Sequence, residues 1–289
     1  MSSSPFDLPY DLDIAWCPGC GNFAIIKILK QALENAGIEP RKLVLVSGIG
    51  QAAKMPQYLQ CHYFNGLHGR SLPVATAVKA CNPELCVIAE SGDGCTYGEG
   101  GNHFLHTIRR NPDIVNLVHN NMIYGLTKGQ GAPTTMKGMK TSIQLKGYAL
   151  EPFNPLAAAL AMGAGFVARV SSGDAAQATT VIEQALAYPG YALVDIFHPC
   201  ISFNKLNTFR WYREHTESLE DHDETDLESA MTRAMQTEPY RLGVFYRQAK
   251  PTFRERSHAY DTDDSPLCRR DIDPAKLADL LGNYRIPTG

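Results

Sequence analysis

Residues 90–130 contain the pattern that most restricts how this chain can fold. An aspartate stands between two glycines at 92–94, and a pair of asparagines at 120–121 follows after 25 intervening residues. The aspartate follows the apolar run Cys86 to Glu90, the asparagines follow the run Ile114 to His119, and a helical pattern from Gly101 to Arg110 lies between them. Because strand, helix and strand in this order form a parallel pair, we expect both motifs at the same edge of one sheet.

The same alternation of short apolar runs and helical patterns extends over most of the chain. Further strands are predicted at Leu43 to Ser47 and Tyr191 to Phe197, and further helices at Asn22 to Ala36 and Ala175 to Ala187. Strands that alternate with helices indicate βαβ units, in which helices cover both faces of a mainly parallel sheet. The predicted fold class is therefore α/β, with ligands bound beyond the carboxyl ends of the strands.

The pattern changes near residue 200. Residues 214–228 contain eight acidic residues and no Lys or Arg, and a short amphipathic helix is predicted to follow through Met235. We interpret the acidic run as a solvated helix face in preference to a docking site. From Lys250 the chain is polar with scattered prolines, as in an arm that lies on another surface. We predict a ligand-binding domain at 1–205 and an irregular C-terminal extension at 206–289, packed on a partner subunit.

Composition excludes several classes of protein. The net charge of -3 gives no electrostatic reason to bind nucleic acid or an anionic membrane. No apolar run approaches the length of a membrane span, and the N-terminal segment has neither the basic nor the apolar region of a signal peptide. We therefore expect a cytoplasmic protein, in which the eight cysteines are not a disulfide framework.

The glycine–aspartate motif has the residues that a metal-bound diphosphate needs. Asp93 supplies a carboxylate, Asn121 a side-chain oxygen and Ile123 a main-chain carbonyl, and hard oxygen ligands of this kind suit Mg²⁺. The flanking glycines let the backbone approach the phosphates, and a helix that begins near Gly101 would direct its N-terminal amides to the same anion. Gly-Asp-Gly alone also occurs in plain turns. The order and spacing here match the thiamine diphosphate signature throughout.

A second motif, Cys-Pro-Gly-Cys at 17–20, follows Trp16. Two cysteines separated by two residues can bind one metal ion or two corners of an iron–sulfur cluster. A redox dithiol would require a preceding strand, which is not evident here, and a zinc knuckle would normally have a second close pair, which the chain lacks. The pattern favours a cluster over these alternatives.

Together the two motifs resemble the β subunit of the 2-oxoacid:ferredoxin oxidoreductases over roughly residues 10–205. The landmarks in order are WCPGCGN, SGIG at 47–50, NGLHGR at 65–70, GDG at 92–94, GGNHF at 100–104, NNMIYGLTKGQ at 120–130 and HPC at 198–200. The resemblance implies coenzyme A-dependent oxidative decarboxylation of a 2-oxoacid, with electrons passed to ferredoxin. It implies cofactor contacts at Gly48, Ile49, Gly50, His68, Gly92, Asp93, Gly94, Cys95, Asn121, Tyr124, Gly125, Leu126 and Thr127.

The resemblance also implies a 4Fe-4S cluster bound by Cys17, Cys20 and Cys200. The family's remaining cysteine commonly follows the Gly-Ile-Gly turn, where this chain has Gln51. Cys61 is the nearest replacement in the sequence and is the fourth ligand that we favour. The alternatives are Cys95, a ligand other than cysteine, and an incomplete cluster.

Basic residues bear on the choice of substrate. Lys54 and Lys128 match positions where the family holds substrate-selecting lysines, and two ammonium groups would suit the distal carboxylate of 2-oxoglutarate better than pyruvate. His68 and Arg70 are expected to meet the cofactor or the substrate carboxylate. Either lysine could instead lie in solvent.

The chain alone is expected to be half of a catalytic unit. The glutamate that activates thiamine usually comes from a separate domain, and no second α/β domain of sufficient length is evident in the sequence. We expect an α subunit that supplies this pyrimidine-side domain and the coenzyme A site, in an (αβ)2 assembly. Two rival functions are a non-redox thiamine decarboxylase or synthase half and a zinc-stabilised assembly subunit without cofactor.

Overall fold

A computed structural model describes residues 4–284, and its eight strands form a single sheet. In chain order the strands are β1 (Leu43–Ser47), β2 (His62–Asn65), β3 (Cys86–Gly92), β4 (Ile114–Asn120), β5 (Phe166–Ser171), β6 (Tyr191–Phe197), β7 (Thr216–Ser218) and β8 (Tyr240–Arg247). Their order across the sheet is β2-β1-β3-β4-β6-β5-β8-β7. The first six strands in this order are parallel to one another, whereas β8 runs antiparallel to β5 and parallel to β7. The predicted α/β class with a mainly parallel sheet is confirmed.

Helices cover both faces of this sheet. They are α1 (Asn22–Asn35), α2 (Ser71–Cys81), α3 (Gly101–Arg110), α4 (Pro155–Ala161), α5 (Ala175–Ala187), α6 (Phe209–His215), α7 (Leu227–Met235) and α8 (Pro274–Gly282). Apolar side chains of α1 and α5 pack on one face, and those of α2, α3, α4 and α7 pack on the other. Strands β1, β4, β5 and β6 are buried along their whole length because both of their faces are covered.

The parallel strands place the sequence motifs together. Strands β2, β1, β3, β4 and β6 are consecutive neighbours in the sheet, so their carboxyl ends lie side by side. The segments that follow these ends are residues 66–70, 48–50, 93–95, 121–125 and 198–200 respectively. Motifs that are far apart in the chain therefore meet along one edge, as the sequence predicts.

Part of the C-terminal region belongs to the sheet, which the sequence does not indicate. No strand is predicted beyond residue 200, yet β7 and β8 extend the sheet, and β8 is paired with the buried strand β5. The acidic run at 214–228 is exposed for the most part, but it is not one helix face: it spans the end of α6, strand β7, a loop and the start of α7. The predicted helix through Met235 is present as α7.

The proposed division between residues 205 and 206 stays a prediction, and residues 1–3 and 285–289 of these two domains lie outside the described residues. Within residues 4–284, no helix combines the length and the apolar character needed to cross a bilayer.

Candidate active site

A cavity at the carboxyl ends of the strands, here called the strand-end cavity, contains most of the predicted cofactor residues. Its wall is formed by Ile49, Gly50, Gln51, Ala52, His68, Gly92, Asp93, Gly94, Cys95, His119, Asn121, Ile123, Tyr124, Gly125, Leu126 and Thr127. All of the predicted cofactor contacts except Gly48 lie in this wall. Gly48 lies behind the cavity, where its N–H donates to Ser91 Oγ at 2.8 Å.

Asp93 carries a buried carboxyl group whose negative charge would need a compensating cation. Its side chain is buried, and the Thr134 hydroxyl donates a hydrogen bond to Oδ2. Burial raises the pKa of Asp93 to about 7, although the hydrogen bond from Thr134 acts in the opposite direction. A buried carboxylate is costly unless a cation or several donors compensate its charge. A divalent ion bound at Asp93 would supply that compensation.

The second predicted metal-ligand segment is held in a tight turn after β4. Met122 adopts a left-handed φ of 58°, and the Asn120 and Asn121 side chains accept hydrogen bonds from the Met122 and Ile123 amides at 3.2 and 3.1 Å. Asn204 also donates to the Asn121 carbonyl at 3.0 Å. These contacts fix the segment that carries the Asn121 oxygen and the Ile123 carbonyl beside the strand-end cavity.

The turn after β4 is hydrogen-bonded to a buried ion pair. Asn120 donates to Asp195 at 3.1 Å, and the same carboxylate accepts hydrogen bonds from Tyr97 at 2.9 Å and Arg169 at 3.0 Å. Asp195 is fully buried and Arg169 is only 3% exposed. Because each charge has a partner, the network can stiffen the strand ends on which the predicted metal ligands lie.

Gly94 allows the backbone and Tyr124 to approach each other. A Cβ added at Gly94 would be 2.2 Å from Tyr124 Cε1, a distance that no side chain can occupy. The Tyr124 hydroxyl lies 3.3 Å from the Gly94 carbonyl and 3.2 Å from Glu99 Oε1. A π-helical turn over Gly94–Glu99 precedes α3, which begins at Gly101 as predicted. The amides nearest the predicted diphosphate are therefore those that follow Asp93.

The thiol beside the aspartate has a structural role in the cavity wall. Cys95 is buried, and its sulfur accepts hydrogen bonds from the Ile49 amide at 3.4 Å and the Gly69 amide at 3.2 Å. These amides belong to the loops that follow β1 and β2. Cys95 thus connects three neighbouring segments of the wall.

Sequence reasoning did not identify a buried pair of titratable groups beside the cavity. Glu90 and His119 lie near the carboxyl ends of the adjacent strands β3 and β4, and Glu90 Oε1 lies 3.3 Å from His119 Nε2. Burial raises the pKa of Glu90 well above its usual range and lowers the pKa of His119 well below its own. His119 Nδ1 is 2.9 Å from Asn22 Oδ1, an acceptor, so this nitrogen carries the proton. Both shifts favour the neutral form of the side chain, and neither the Glu90 carboxyl oxygens nor His119 Nε2 has a hydrogen-bond partner in the described residues.

The three predicted cluster cysteines line a second cavity, here called the cysteine cavity. Its wall is formed by Cys17, Cys20, Asn22, Gln51, Asn121, Gly125, Cys200, Ile201, Ser202 and Phe203. The Gly21 amide donates to the Pro199 carbonyl at 3.4 Å, which holds the N-terminal pair against the segment that carries Cys200. The backbone amides of residues 202–204 lie near the Cys200 thiol and act to lower its pKa, against the larger effect of burial.

Burial and the neighbouring thiols raise the pKa values of Cys20 and Cys200 in this cavity. Burial raises the pKa of Cys20 to about 11, and the neighbouring Cys200 and Cys17 thiols raise it further. Burial likewise raises the pKa of Cys200. Such thiols become thiolates only when a metal compensates their charge. Across residues 4–284 no three His, Cys, Asp or Glu side chains converge closely enough to hold a single ion. The three cysteines nevertheless line one cavity.

The structure does not bring Cys61, the favoured fourth ligand, to the cysteine cavity. Cys61 lies immediately before β2, packs against the hydrophobic core and lines a different cavity with Leu8, Tyr10 and Gln60 among other residues. Burial raises the pKa of its thiol to about 12. Proximity in the chain was misleading because a 3-10 helix over Ala52–Tyr58 carries the chain away from the Gly-Ile-Gly turn. Gln51 itself lies in the wall of the cysteine cavity.

Of the four residues predicted to act on the substrate, the structure brings one to the strand-end cavity. His68 lines it, whereas Lys54, Lys128 and Arg70 do not. The Lys54 ammonium donates to the Ala15 carbonyl at 3.3 Å. Lys128 is exposed next to Thr127 at the cavity mouth, with a left-handed φ of 74°. Arg70 is exposed at the start of α2, near enough to His103 to help lower the pKa of that imidazole.

The two cavities share part of their walls. Gln51, Asn121 and Gly125 line both of them. A Cβ added at Gly125 would be 3.3 Å from Cys200 Sγ, so the wall is thin at this point. A group bound by the three cysteines would lie directly behind a group bound at Asp93.

Comparison with known proteins agrees with this arrangement. The family described as thiamine pyrophosphate enzyme, C-terminal TPP binding domain, matches residues 47–196, and the family described as the C terminal part of the pyruvate ferredoxin oxidoreductase beta subunit matches residues 200–262. The β subunit of a 2-oxoacid:ferredoxin oxidoreductase from Saccharolobus solfataricus is 40% identical over 208 residues, which are 71% of this chain and 68% of that protein. The 2-oxoglutarate synthase subunit KorB of Archaeoglobus fulgidus is 34% identical over 245 residues, covering 85% of this chain and 89% of that protein.

A solved structure gives the same result. The 2-oxoglutarate:ferredoxin oxidoreductase from Magnetococcus marinus, determined with 2-oxoglutarate, coenzyme A and succinyl-CoA bound, aligns with a TM-score of 0.85 at 32% identity over 98% of this chain and 97% of that one. The fold and the strand-end cavity thus define a thiamine diphosphate-binding domain. Within that class, the chain belongs to the β subunits of the 2-oxoacid:ferredoxin oxidoreductase family.

Proposed function

We propose that this chain, together with an α subunit, catalyses the coenzyme A-dependent oxidative decarboxylation of 2-oxoglutarate and passes the electrons through a 4Fe-4S cluster to ferredoxin. The observation that carries the proposal is the wall shared by the strand-end cavity and the cysteine cavity, at Gln51, Asn121 and Gly125. A decarboxylating cofactor and a cluster that accepts single electrons need to lie next to each other. At each of these three positions, a single residue faces both cavities.

When bound, thiamine diphosphate supplies a nucleophilic carbon and an electron sink for decarboxylation. The chain's own residues hold and orient it. Asp93, the Asn121 side chain and the Ile123 carbonyl would hold Mg²⁺, an ion that prefers to share its coordination shell with phosphate oxygens. The amides that follow Asp93 donate to the phosphates, and Cys95 fixes the loops after β1 and β2 around the cavity. His68, exposed at the cavity, contacts the substrate carboxylate.

The cluster is held by Cys17, Cys20 and Cys200, whose thiols line one cavity. The amides of residues 202–204 lie near the Cys200 thiol and would stabilise negative charge on its sulfur. A cluster bound by these cysteines would supply an acceptor for single electrons next to the strand-end cavity.

The preference for 2-oxoglutarate rests on relatives that carry this substrate in their names and on the solved enzyme that binds it. A pyruvate-specific function is the second candidate, because the family that matches residues 200–262 is named for pyruvate and neither lysine lines the cavity. Lys128, beside the cavity mouth, is the better placed of the two to meet a distal carboxylate.

Exposed apolar residues next to the strand-end cavity support the need for an α subunit. All four residues of the edge strand β2 are exposed, and Leu67, which precedes His68, is 73% exposed. Such a patch beside an active site marks an interaction surface. We propose that this patch is covered by the α subunit, which supplies the pyrimidine-side domain and the coenzyme A site and forms an (αβ)2 assembly with this chain in the cytoplasm.

Anaerobic copurification of the chain with its α subunit tests this function. We expect thiamine diphosphate, magnesium and about four irons and four sulfides per β chain. A panel of 2-oxoacids with coenzyme A and ferredoxin should give fastest turnover with 2-oxoglutarate. A preparation without iron and sulfide that still decarboxylates would identify a non-redox thiamine enzyme. Faster turnover of pyruvate would establish the second candidate.

A further inference from the structure

Gln51 occupies the place in the cysteine cavity where a fourth ligand would be expected. Its backbone is fixed to the cysteine segment, because the Trp16 indole donates to the Gln51 carbonyl at 2.8 Å. Trp16 in turn packs edge-to-face against Phe23 and Tyr58. The Gln51 side chain therefore projects from a rigid support, and it lines both cavities.

The side-chain oxygen of Gln51 has no hydrogen-bond donor. In the described part of the chain, Oε1 is buried and unpartnered, an arrangement that proteins normally avoid. The other amide oxygens of the same wall are occupied: Asn22 Oδ1 contacts His119 Nδ1 at 2.9 Å, and Asn121 Oδ1 accepts from the Ile123 amide at 3.1 Å. The Gln51 oxygen is thus the acceptor in this wall that lacks a partner.

We propose that Gln51 Oε1 is the fourth protein ligand of the cluster, opposite Cys17, Cys20 and Cys200. This inference rests on the proposed function, which assigns the cluster to this cavity. Three thiolates would hold three irons firmly, and a neutral amide oxygen would hold the fourth weakly, because iron in such clusters prefers thiolate. The fourth iron is therefore exchangeable.

Two other residues could take this place, and each gives the experiment a distinct outcome. Cys61 has the better ligand atom, but it lines a different cavity. Ser202 lines the cysteine cavity and carries a hydroxyl that could coordinate iron. Substitution of either residue would release the fourth iron only if that residue were the ligand.

The test is oxidation of the anaerobic holoenzyme with ferricyanide, followed by iron analysis and electron paramagnetic resonance. Ferricyanide takes one electron, and the 4Fe-4S dication then releases one Fe²⁺ and becomes a paramagnetic 3Fe-4S monocation. We expect the wild type to fall from about four to about three irons per chain. Q51A should lose this iron about three- to tenfold faster, and Q51C should retain about four, because thiolate replaces a weak ligand.

Gln57→Cys is the matched control, since Gln57 is an exposed glutamine only six positions away. It should behave like the wild type, which would show that position 51, and not an added thiol, protects the cluster. Equal rates of iron loss in wild type, Q51A and Q51C would overturn the proposal, as would loss of the fourth iron in C61S or S202A at the rate of Q51A. Absence of iron and sulfide from the wild type would instead contradict the proposed function.

Discussion

The metal end and the substrate side of the strand-end cavity are built differently. At the metal end, Asp93 and the turn after β4 are held by a buried hydrogen-bond network that reaches Asp195 and Arg169. On the substrate side, His68, Lys128 and the edge strand β2 are exposed. On the proposed function, this chain would organise the binding of the diphosphate and the metal by itself, and the proposed α subunit would complete the substrate pocket by covering β2.

The difference has a physical basis in the sheet. The metal end lies over β3 and β4, which are interior strands covered on both faces, so its polar groups must be paired. The substrate side lies over β2, which is the edge strand and has no neighbour beyond it within the described residues. Substitutions at the metal end should therefore act on every substrate alike, and substitutions on the substrate side should distinguish one 2-oxoacid from another.

Asp93→Ala should have the largest effect. Loss of the carboxylate removes the charged ligand of Mg²⁺, so we expect at least a thousandfold loss of turnover with every 2-oxoacid, equivalent to about 4 kcal/mol. Magnesium-dependent binding of thiamine diphosphate, measured by calorimetry, should disappear. Asp11→Ala, at an exposed aspartate, serves as the control. Retention of cofactor by the Asp93 variant would contradict the assignment of this carboxylate to the metal.

Gly94→Ala should have the next largest effect. Its Cβ would be 2.2 Å from the Tyr124 ring, so the ring must leave the cavity wall. We expect roughly ten- to hundredfold weaker cofactor binding and a free energy of unfolding lower by about 1–3 kcal/mol, as for overpacked cores. Gly101→Ala is the matched control, since nothing lies within 4 Å of a Cβ at that position. Similar binding in both variants would show that the metal end tolerates distortion.

Lys128→Met tests the substrate side. If its ammonium contacts the distal carboxylate, the KM for 2-oxoglutarate should rise about ten- to hundredfold while pyruvate turnover changes little, since charge-assisted hydrogen bonds are worth about 1.5–3 kcal/mol. Lys54→Met should have the smaller effect of the two, because the Lys54 ammonium already contacts the Ala15 carbonyl. A larger effect of Lys54→Met would show that Lys54 moves into the cavity when the complex forms. Equal loss with both substrates would assign the lysines to structure or to the shared carboxylate.

The sequence predicted the interior of the sheet well. Strands β1 and β6 and helices α3 and α5 have the predicted limits, because continuous buried runs and strong helical periodicity mark such elements. Strands at the two ends of the sheet were missed: β2 is an exposed edge strand, and β8, next to the other edge strand β7, pairs with β5 across a long stretch of chain. Local patterns contain no information about such pairings.

The site shows the same limit. Motif residues at strand ends converge because topology brings them together, and that much follows from sequence. Thr134, which donates to Asp93 from a distance of 41 residues in the chain, has no local signal. Nor does the orientation of Gln51, whose unpartnered oxygen becomes evident only when the cavity is formed. Cys61 was favoured because it is near in sequence, and the 3-10 helix after Gln51 separates it from the other cysteines.

Glu90→Gln should have the smallest effect, and it tests how far the buried polar network of the metal end extends. The pKa of Glu90 is raised by burial, so the folded protein keeps a proton that the unfolded chain releases above about pH 4.3. The stability contributed by this proton is therefore fully present below that pH and is lost as pH rises towards the folded-state pKa. His119 has the opposite shift, but its contribution is constant above about pH 6.5.

Above about pH 7 only the Glu90 slope of this pair remains, at most about 1.4 kcal/mol per pH unit, until the folded-state pKa of Glu90 is reached. Glutamine has nearly the same shape as the protonated carboxyl, but it has no proton to lose. We expect denaturant unfolding of the cofactor-free protein to show the variant gaining stability over the wild type as pH rises through this range. Glu151→Gln, at an exposed glutamate, should run parallel to the wild type. A constant difference between Glu90→Gln and the wild type from pH 7 to 9 would mean that Glu90 is already ionised in the folded protein and that His119 carries the compensating proton.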